Sequence, residues 1–471
     1  MRSQRHLLTL ALWSGLGLGS LQAKDKLGIQ EELSGIQEEQ LEAHPSTAAT
    51  AEESMAQTSA MAGTSATNAA PERDGESYER FRIGGYGEMV GAWKDYGYNR
   101  FTSSGSQKKP RATISIPRFV LAIDYKFTSK WILGAEIEFE SGGTGAATEV
   151  DYADENGEYE TEQEKGGEVA IEQFHLTRLI HPAFNVRAGH LIVPLGLTNA
   201  HHEPIFFYGT SRPESETAIL PCTWHETGLE LFGSIGPFSY QAMVVAGLNA
   251  FGFRSQDFIV KGKQGLFEED NFTSPGYLVR IDWHGLPGLR LGASAYHCGD
   301  AGANVEKPSY TAGFSVPVSL LSADARWQSG GLTARANVVY GHIGNTARLY
   351  SAVRNLSNKS PYSRSPVGKN ALAYGVEAGY NLGRLSSHRR MPQISPFVRY
   401  EYSNPQESAS SGQLADKRLQ IEKWTFGANW NALPNLVVKA DYATRRIGRG
   451  QYHSENEFSV GLAYIGWFFR K

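Results

Sequence analysis

Trp131-Ile132-Leu133-Gly134-Ala135-Glu136-Ile137-Glu138-Phe139-Glu140 alternates with a period of two. In an extended chain Trp131, Leu133, Ala135, Ile137 and Phe139 share one face, and Glu136, Glu138 and Glu140 share the other. A strand so divided separates an apolar medium from a wet one. The same division recurs in Tyr277–His284, where Tyr277, Val279, Ile281 and Trp283 oppose Arg280, Asp282 and His284. It recurs again in Leu436–Ala443, where Leu436, Val438, Ala440 and Tyr442 oppose Lys439 and Asp441. Water-soluble sandwiches alternate too. They seldom need so many such segments with aromatic residues at their ends, the placement that membrane interfaces favour.

Outward from that stretch, the unit repeats from Phe81 to Phe469, each apolar-faced segment followed by a break. Sixteen segments are read: 81–92, 113–126, 130–140, 168–178, 184–192, 225–235, 237–249, 276–284, 288–298, 316–327, 331–343, 371–382, 394–402, 421–431, 434–443 and 456–469. The breaks alternate between long polar connections and short turns such as Thr128-Ser129, Gly236 and Gly285–Pro287. Inside a bilayer every backbone N–H and C=O needs a partner, so spanning strands must close into a ring without a free edge. An even strand count with short turns on one side and long loops on the other is the bacterial outer-membrane arrangement. The fold expected is therefore all-β, a transmembrane antiparallel barrel occupying residues 81–471. At sixteen strands such a barrel is wide enough for an aqueous channel.

The rest of the chain supports export. Arg2, Arg5 and His6 precede an apolar run from Leu7 to Leu18, and Ser20–Ala23 offers a small-residue cleavage site, so residues 1–23 read as a signal peptide. Residues 24–80 precede the barrel. Gly28–Glu32 and Gly35–Glu39 repeat one pentapeptide seven residues apart, but two heptads are too few for a stable coiled coil. The segment is either a short periplasmic coiled coil or a flexible tether. No stretch of the 471 residues is apolar enough for a membrane helix, and a net charge of −4 argues against a nucleic-acid partner.

Catalytic motifs are absent: the chain has no Gly-x-Ser-x-Gly, no P-loop and no His-Glu-x-x-His, so neither an enzyme nor a cofactor is expected. His201-His202-Glu203, with His225 and Glu226 beyond, lacks a known metal-ligand spacing and reads as rim polarity, with no metal. Cys222 and Cys298 are the only cysteines. Export permits a disulfide between them, but their strands are not neighbours, which favours two free thiols.

The 32-residue connection Val193–Trp224 carries Phe206-Phe207-Tyr208. A loop of that length in a compact fold generally has a role, and one folded into the lumen would form a constriction. Parity places Arg118, Lys126, Arg187, Arg280, Arg290, Arg326, Arg335, Arg399, Lys423 and Lys439 on the inner wall. It also places Asp124, Glu136, Glu138, Glu140, Glu230, Asp282, Asp324, Glu377, Glu401 and Asp441 there. Equal numbers do not make a strongly anion-selective lumen. Their arrangement gives an acidic wall on strands two and three facing a mostly basic one, unless local pairs such as Glu401 with Arg399 flatten the field. The loop 141–167 is acidic and 345–370 is basic, which suits solvated faces or contacts with lipopolysaccharide.

The stretch Arg187-Ala-Gly-His-Leu-Ile-Val-Pro-Leu-Gly-Leu197, followed by Pro204 and Trp224–Gly233, resembles the phosphate-selective porin O/P family, its Bacteroidetes-type members in particular. There a strand ends in Gly-x-x-x-x-Pro-x-Gly and leads into the third loop; Gly189 to Gly196 match. The resemblance implies an outer-membrane, homotrimeric diffusion channel for small hydrophilic solutes or ions, anions such as phosphate among them. One departure is the C-terminus, where Arg470-Lys471 follows Phe469. A different class of function would be a non-conducting surface barrel, an adhesin or a subunit of an uptake complex.

Overall fold

The computed structural model describes residues 79–97, 108–142, 149–150, 161–162, 168–264, 269–356, 362–385, 392–410 and 412–471. The signal peptide expected at 1–23, the coiled coil or tether at 24–78 and most of the acidic loop 141–167 lie outside them.

Sixteen strands form one closed antiparallel meander. They are β1 (Phe81–Lys94), β2 (Arg111–Lys126), β3 (Trp131–Glu140), β4 (Glu168–His181), β5 (Phe184–Ile192), β6 (His225–Ile235), β7 (Phe238–Val245) and β8 (Gly276–Leu286). The second half comprises β9 (Leu289–Cys298), β10 (Val318–Ser329), β11 (Leu332–Ile343), β12 (Asn370–Tyr380), β13 (Ile394–Ser408), β14 (Ile421–Leu433), β15 (Leu436–Ile447) and β16 (Glu455–Arg470). Closure is made by β1 against β16, from Arg82 opposite Arg470 to Lys94 opposite Glu457. Beyond the departure noted at the C-terminus, Lys471 N–H donates to the Phe81 carbonyl at 2.9 Å and its own carbonyl accepts from Arg80 and Phe81. Within the barrel, no strand edge among the described residues is left unpaired, which removes the usual hazard of edge-to-edge association.

The wall is inverted relative to a water-soluble protein. Trp131, Ile281, Leu321 and Phe426 are exposed on the outside, whereas Arg280, Glu230, Glu401 and Lys439 are buried within. The alternation read in β3, β8 and β15 is thus the alternation observed. Several ends differ from the sequence reading, among them those of β4, which runs to His181, and β15, which runs to Ile447; two have a local cause. The segment read to 249 leaves the sheet after Val245, because the Asn249 side chain accepts from Phe251 N–H and caps a 3-10 turn at Ala250–Gly252. The segment read to 402 continues to Ser408 through Asn404-Pro405, which a register shift against β12 accommodates.

Two short helices matter below: α1 (Glu214–Thr217), within the connection from β5 to β6, and α2 (Thr346–Val353), after β11. At the long-loop end an apolar cluster joins Leu195, Leu220 and Trp224 to Phe251 and Phe258, Val305 and Val316, and Leu349 of α2. The long loops on that side therefore have a core of their own.

Candidate functional site

The connection Val193–Trp224 begins with a backbone device. Gly189 in β5 has φ +135, and a Cβ there would lie 2.3 Å from the Phe174 carbonyl oxygen. Gly196 has φ +86, and a Cβ there would meet the Glu216 carboxylate at 2.8 Å. The two glycines of the Gly-x-x-x-x-Pro-x-Gly element are thus places where strand and loop approach too closely for a side chain. Glu216 of α1 accepts from both Leu197 and Thr198 N–H at 2.6 Å, which fastens the loop's exit to its entry. Burial pushes the Glu216 carboxyl up to about 7, against the pull of those two N–H groups.

Between these points the segment touches side chains from strands all around the ring. That is possible only if it runs inside the barrel. Lys439 of β15 donates to the carbonyls of Pro204, Phe207 (3.0 Å) and Gly209 (2.8 Å), and its ammonium lies 4.3 Å from the Phe207 ring centroid. All three of its N–H donors are used. Arg335 of β11 donates to the Phe206 carbonyl, and Arg399 of β13 to those of Tyr208 and Ser211. The Tyr208 ring stacks on Phe397 at 5.1 Å. Asp441 accepts from Thr210 N–H at 2.7 Å, Glu401 accepts from Ser215 N–H at 2.9 Å, and Arg445 binds Glu214 at 2.7 Å. The Phe207 and Tyr208 rings therefore sit against the wall, while the Phe206 ring packs on His201 of the loop itself, and backbone carbonyls do most of the holding. Nothing in residue type marks a carbonyl as a ligand, so this anchor was not legible in the sequence.

The remaining basic residues are largely paired on the spot. Arg187 binds Glu230 at 2.8 Å and donates to Thr177 Oγ1 at 3.0 Å. Arg280 binds Asp282 at 2.7 Å and Asp324 at 3.0 Å, and donates to the Gly196 carbonyl. Arg290 reaches Asp324 at 3.1 Å and donates to His201, whose imidazole burial and the neighbouring guanidinium hold well below its usual range. Arg335 and Arg399 share Glu377, and Arg399 lies 4.0 Å from Glu401. The mostly basic wall expected opposite strands two and three is therefore neutralised by local pairs, the alternative weighed for it.

The acidic wall is different. Glu136 and Glu138 are buried, while Glu140 at the strand end is exposed. Beside them lie Glu172 of β4 and Glu203 of the loop, both almost fully buried. Glu172 escapes a strict period-two reading because the register shifts there: Glu136 pairs with Gln173 and Ile137 with Ile171, leaving Glu172 as the extra residue of a bulge. His202 and Glu203, read as rim polarity, are instead buried within the barrel. His202 meets the Tyr86 hydroxyl at 2.9 Å, and Arg118 donates to the His202 carbonyl at 3.0 Å.

The disulfide considered for Cys222 and Cys298 is not formed; both are free thiols. Cys298 ends β9 and donates to the Ser274 carbonyl, whereas Cys222 precedes β6 and accepts from Arg212 at 2.7 Å. With β7 and β8 intervening between β6 and β9, each thiol keeps local partners.

On either side of the loop the interior opens. A cavity of about 380 Å³ reaches the short-turn side, lined by Arg187, Arg290, His284 and Tyr240 with His201 from the loop. A second, of about 240 Å³, reaches the long-loop side between Lys94, Arg445 and Glu457, with Thr210 and Glu214 from the loop.

No protein-family model matches the chain. An uncharacterized protein of Aquifex aeolicus (strain VF5) is 26% identical over 393 residues, which cover 82% of this chain and 79% of that protein. Among solved structures, the outer membrane channel DcaP of Acinetobacter baumannii superposes with a TM-score of 0.51 at 14% identity, over 84% of this chain and all of that one. The anion-selective porin from Comamonas acidovorans gives 0.49 at 10% identity, over 83% of this chain and all of that one. At such identities it is the fold that is shared, and the fold is that of the DcaP channel: a closed sixteen-stranded antiparallel barrel.

Proposed function

We propose that the chain is an outer-membrane porin, a passive diffusion channel in which the Val193–Trp224 loop forms the constriction. The observation that carries this reading is a loop held inside an inverted wall, with a charged cavity on each of its two faces. An apolar exterior of strands this long suits hydrocarbon, and a charged interior suits water and ions. Arg187, Arg280, Arg290, Arg335, Arg399 and Lys439, with Glu136, Glu138 and Glu140, line or support the path. Selection then follows from width and field, without chemical turnover. Small hydrophilic solutes and ions are the expected cargo. Phosphate and other anions rest on the family resemblance alone, because most of the inner guanidinium groups are already matched by carboxylates. Export through a cleaved signal peptide, outer-membrane residence beside lipopolysaccharide, and a homotrimer complete the reading.

A second reading, a non-conducting surface barrel, draws on the apolar cluster that knits the long loops together at one mouth. Planar-bilayer recording of the purified protein separates the two. Discrete current steps with an ohmic conductance support the porin. Insertion without steps supports a closed barrel that acts as an adhesin or uptake subunit.

A further inference from the structure

Where the loop enters the barrel, five carboxylates converge on a single arginine and a single imidazole. Glu136, Glu138 and Glu203 each feel the Glu172 carboxylate, Glu88 pairs with Arg118 at 2.9 Å, and Arg118 and Lys263 are the cations that also reach Glu138. Glu172 is 0% and Glu203 1% exposed. Four carboxylate oxygens in this group have no hydrogen-bond partner: Glu136 Oε2, Glu138 Oε1, Glu172 Oε1 and Glu203 Oε2. Buried charge of one sign is retained only where hydrogen bonds or a counter-ion offset its desolvation, and here the protein supplies too few of either.

The geometry of three of these groups says what kind of counter-charge fits. One ligand atom each from Glu136, Glu172 and His202 lies within 4.8 Å of the others. Ligand atoms around a tetrahedral ion with bonds of about 2.1 Å sit about 3.4 Å apart, so closing the set takes side-chain movements of up to about 1 Å. The imidazole is also oriented for the task. His202 Nδ1 donates to the Asn199 carbonyl at 3.2 Å, which turns Nε2 toward Glu172 Oε1 at 3.3 Å. A backbone carbonyl on one ring nitrogen is the usual way a protein fixes the other as a ligand. Tyr86 adds a hydroxyl that donates to Glu172 Oε2 at 3.1 Å and lies 2.9 Å from Nε2.

We propose that Glu136, Glu172 and His202 bind a divalent transition-metal cation such as Zn²⁺. Two carboxylates and one imidazole form a mixed oxygen and nitrogen set, which suits a borderline ion better than Mg²⁺ or Ca²⁺. Glu203, adjacent in sequence to His202, keeps an unpartnered oxygen and adds negative charge beside Glu172. Because His202 belongs to the loop while Glu136 and Glu172 belong to β3 and β4, the ion fastens the loop's entry to the wall. This site was invisible at the level of motif, since its three ligands come from residues 136, 172 and 202 and one of them sits on a bulge.

The test uses tag-free, full-barrel protein in detergent, cleared of metal with a chelator and dialysed against Zn²⁺. The expected result is a single saturable Zn²⁺ per chain, with X-ray absorption showing a nitrogen and oxygen shell that includes one imidazole and no sulfur. Glu136→Gln and Glu172→Gln, each checked for heat-modifiable migration, should weaken binding at least ~tenfold. If either fails to fold, the wild-type spectrum alone decides. No saturable binding, unchanged affinity in the folded variants, or a sulfur ligand indicating Cys222 or Cys298 would each overturn the assignment. None of these readouts depends on whether the barrel conducts.

Discussion

At its tip the Val193–Trp224 loop meets β11 to β15 through ammonium and guanidinium groups that all find acceptors; at its entry, His202 and Glu203 meet β2 to β4 among carboxylates that lack donors. The difference is one of supply. Loop carbonyls at 204–211 are acceptors that point wherever the chain turns, so cationic side chains satisfy themselves on backbone as well as on Glu377 and Glu214. Loop N–H groups serve Glu216, Asp441 and Glu401 in the same way, but at the entry Glu136, Glu138, Glu172 and Glu203 each keep an oxygen that no donor reaches. One loop is thus held on one side by the protein's own atoms and on the other in an arrangement that calls for external charge.

Breaking the satisfied side should have the largest effect among point variants. Lys439→Met strands three buried carbonyls, and each unmet group costs roughly 1–3 kcal/mol. The tip should detach, with an open-channel current noisier and larger than wild type while heat-modifiable migration is kept. An unchanged current would show that the tip does not depend on this ammonium.

The charge contrast is sharpened by reversal potentials in a salt gradient. Arg335→Gln with Arg399→Gln removes both cationic partners of Glu377 and should shift the potential clearly toward cations. Glu136→Gln with Glu138→Gln should shift it toward anions by less, since Glu172 and Glu203 of the same cluster remain. Equal shifts would mean that the two walls are not chemically distinct. Two silent pairs would remove these residues from the conducting path.

The smallest effect is a pH dependence at Glu216. Burial raises its carboxyl from 4.5 to about 7, so docking the loop takes up a proton. Docking is then strongest below about 4.5, weakens as pH rises toward about 7, and is flat above that range. Loop-dependent current fluctuation should grow over that window, and Glu216→Gln should remove the trend. A trend of the opposite sign, with more fluctuation in acid, would contradict the assignment.

How much of this was legible follows from periodicity. Where strands alternate strictly, as in Trp131–Glu140 and Tyr277–His284, the inward and outward faces could be read directly, because the side-chain period is fixed by the pleat. The long connection after β5 was conspicuous by its length. Glu172 was lost because a bulge breaks the parity it relied on. His202 and Glu203 were misplaced because position within a loop carries no periodicity at all. The continuation of β13 through Pro405 was lost because proline ordinarily ends a ladder, and here an irregular register absorbs it.

The central claim is that Val193–Trp224 is the constriction of a conducting barrel, and single-channel conductance tests it most directly. Replacing Thr198–Ala218 with a short Gly-Ser bridge removes every contact from His202 to Glu216 while leaving Leu195, Leu220 and Trp224 in their apolar cluster. The account predicts a conductance severalfold above wild type in the folded variant. A conductance equal to wild type would place the loop outside the solute path and contradict it.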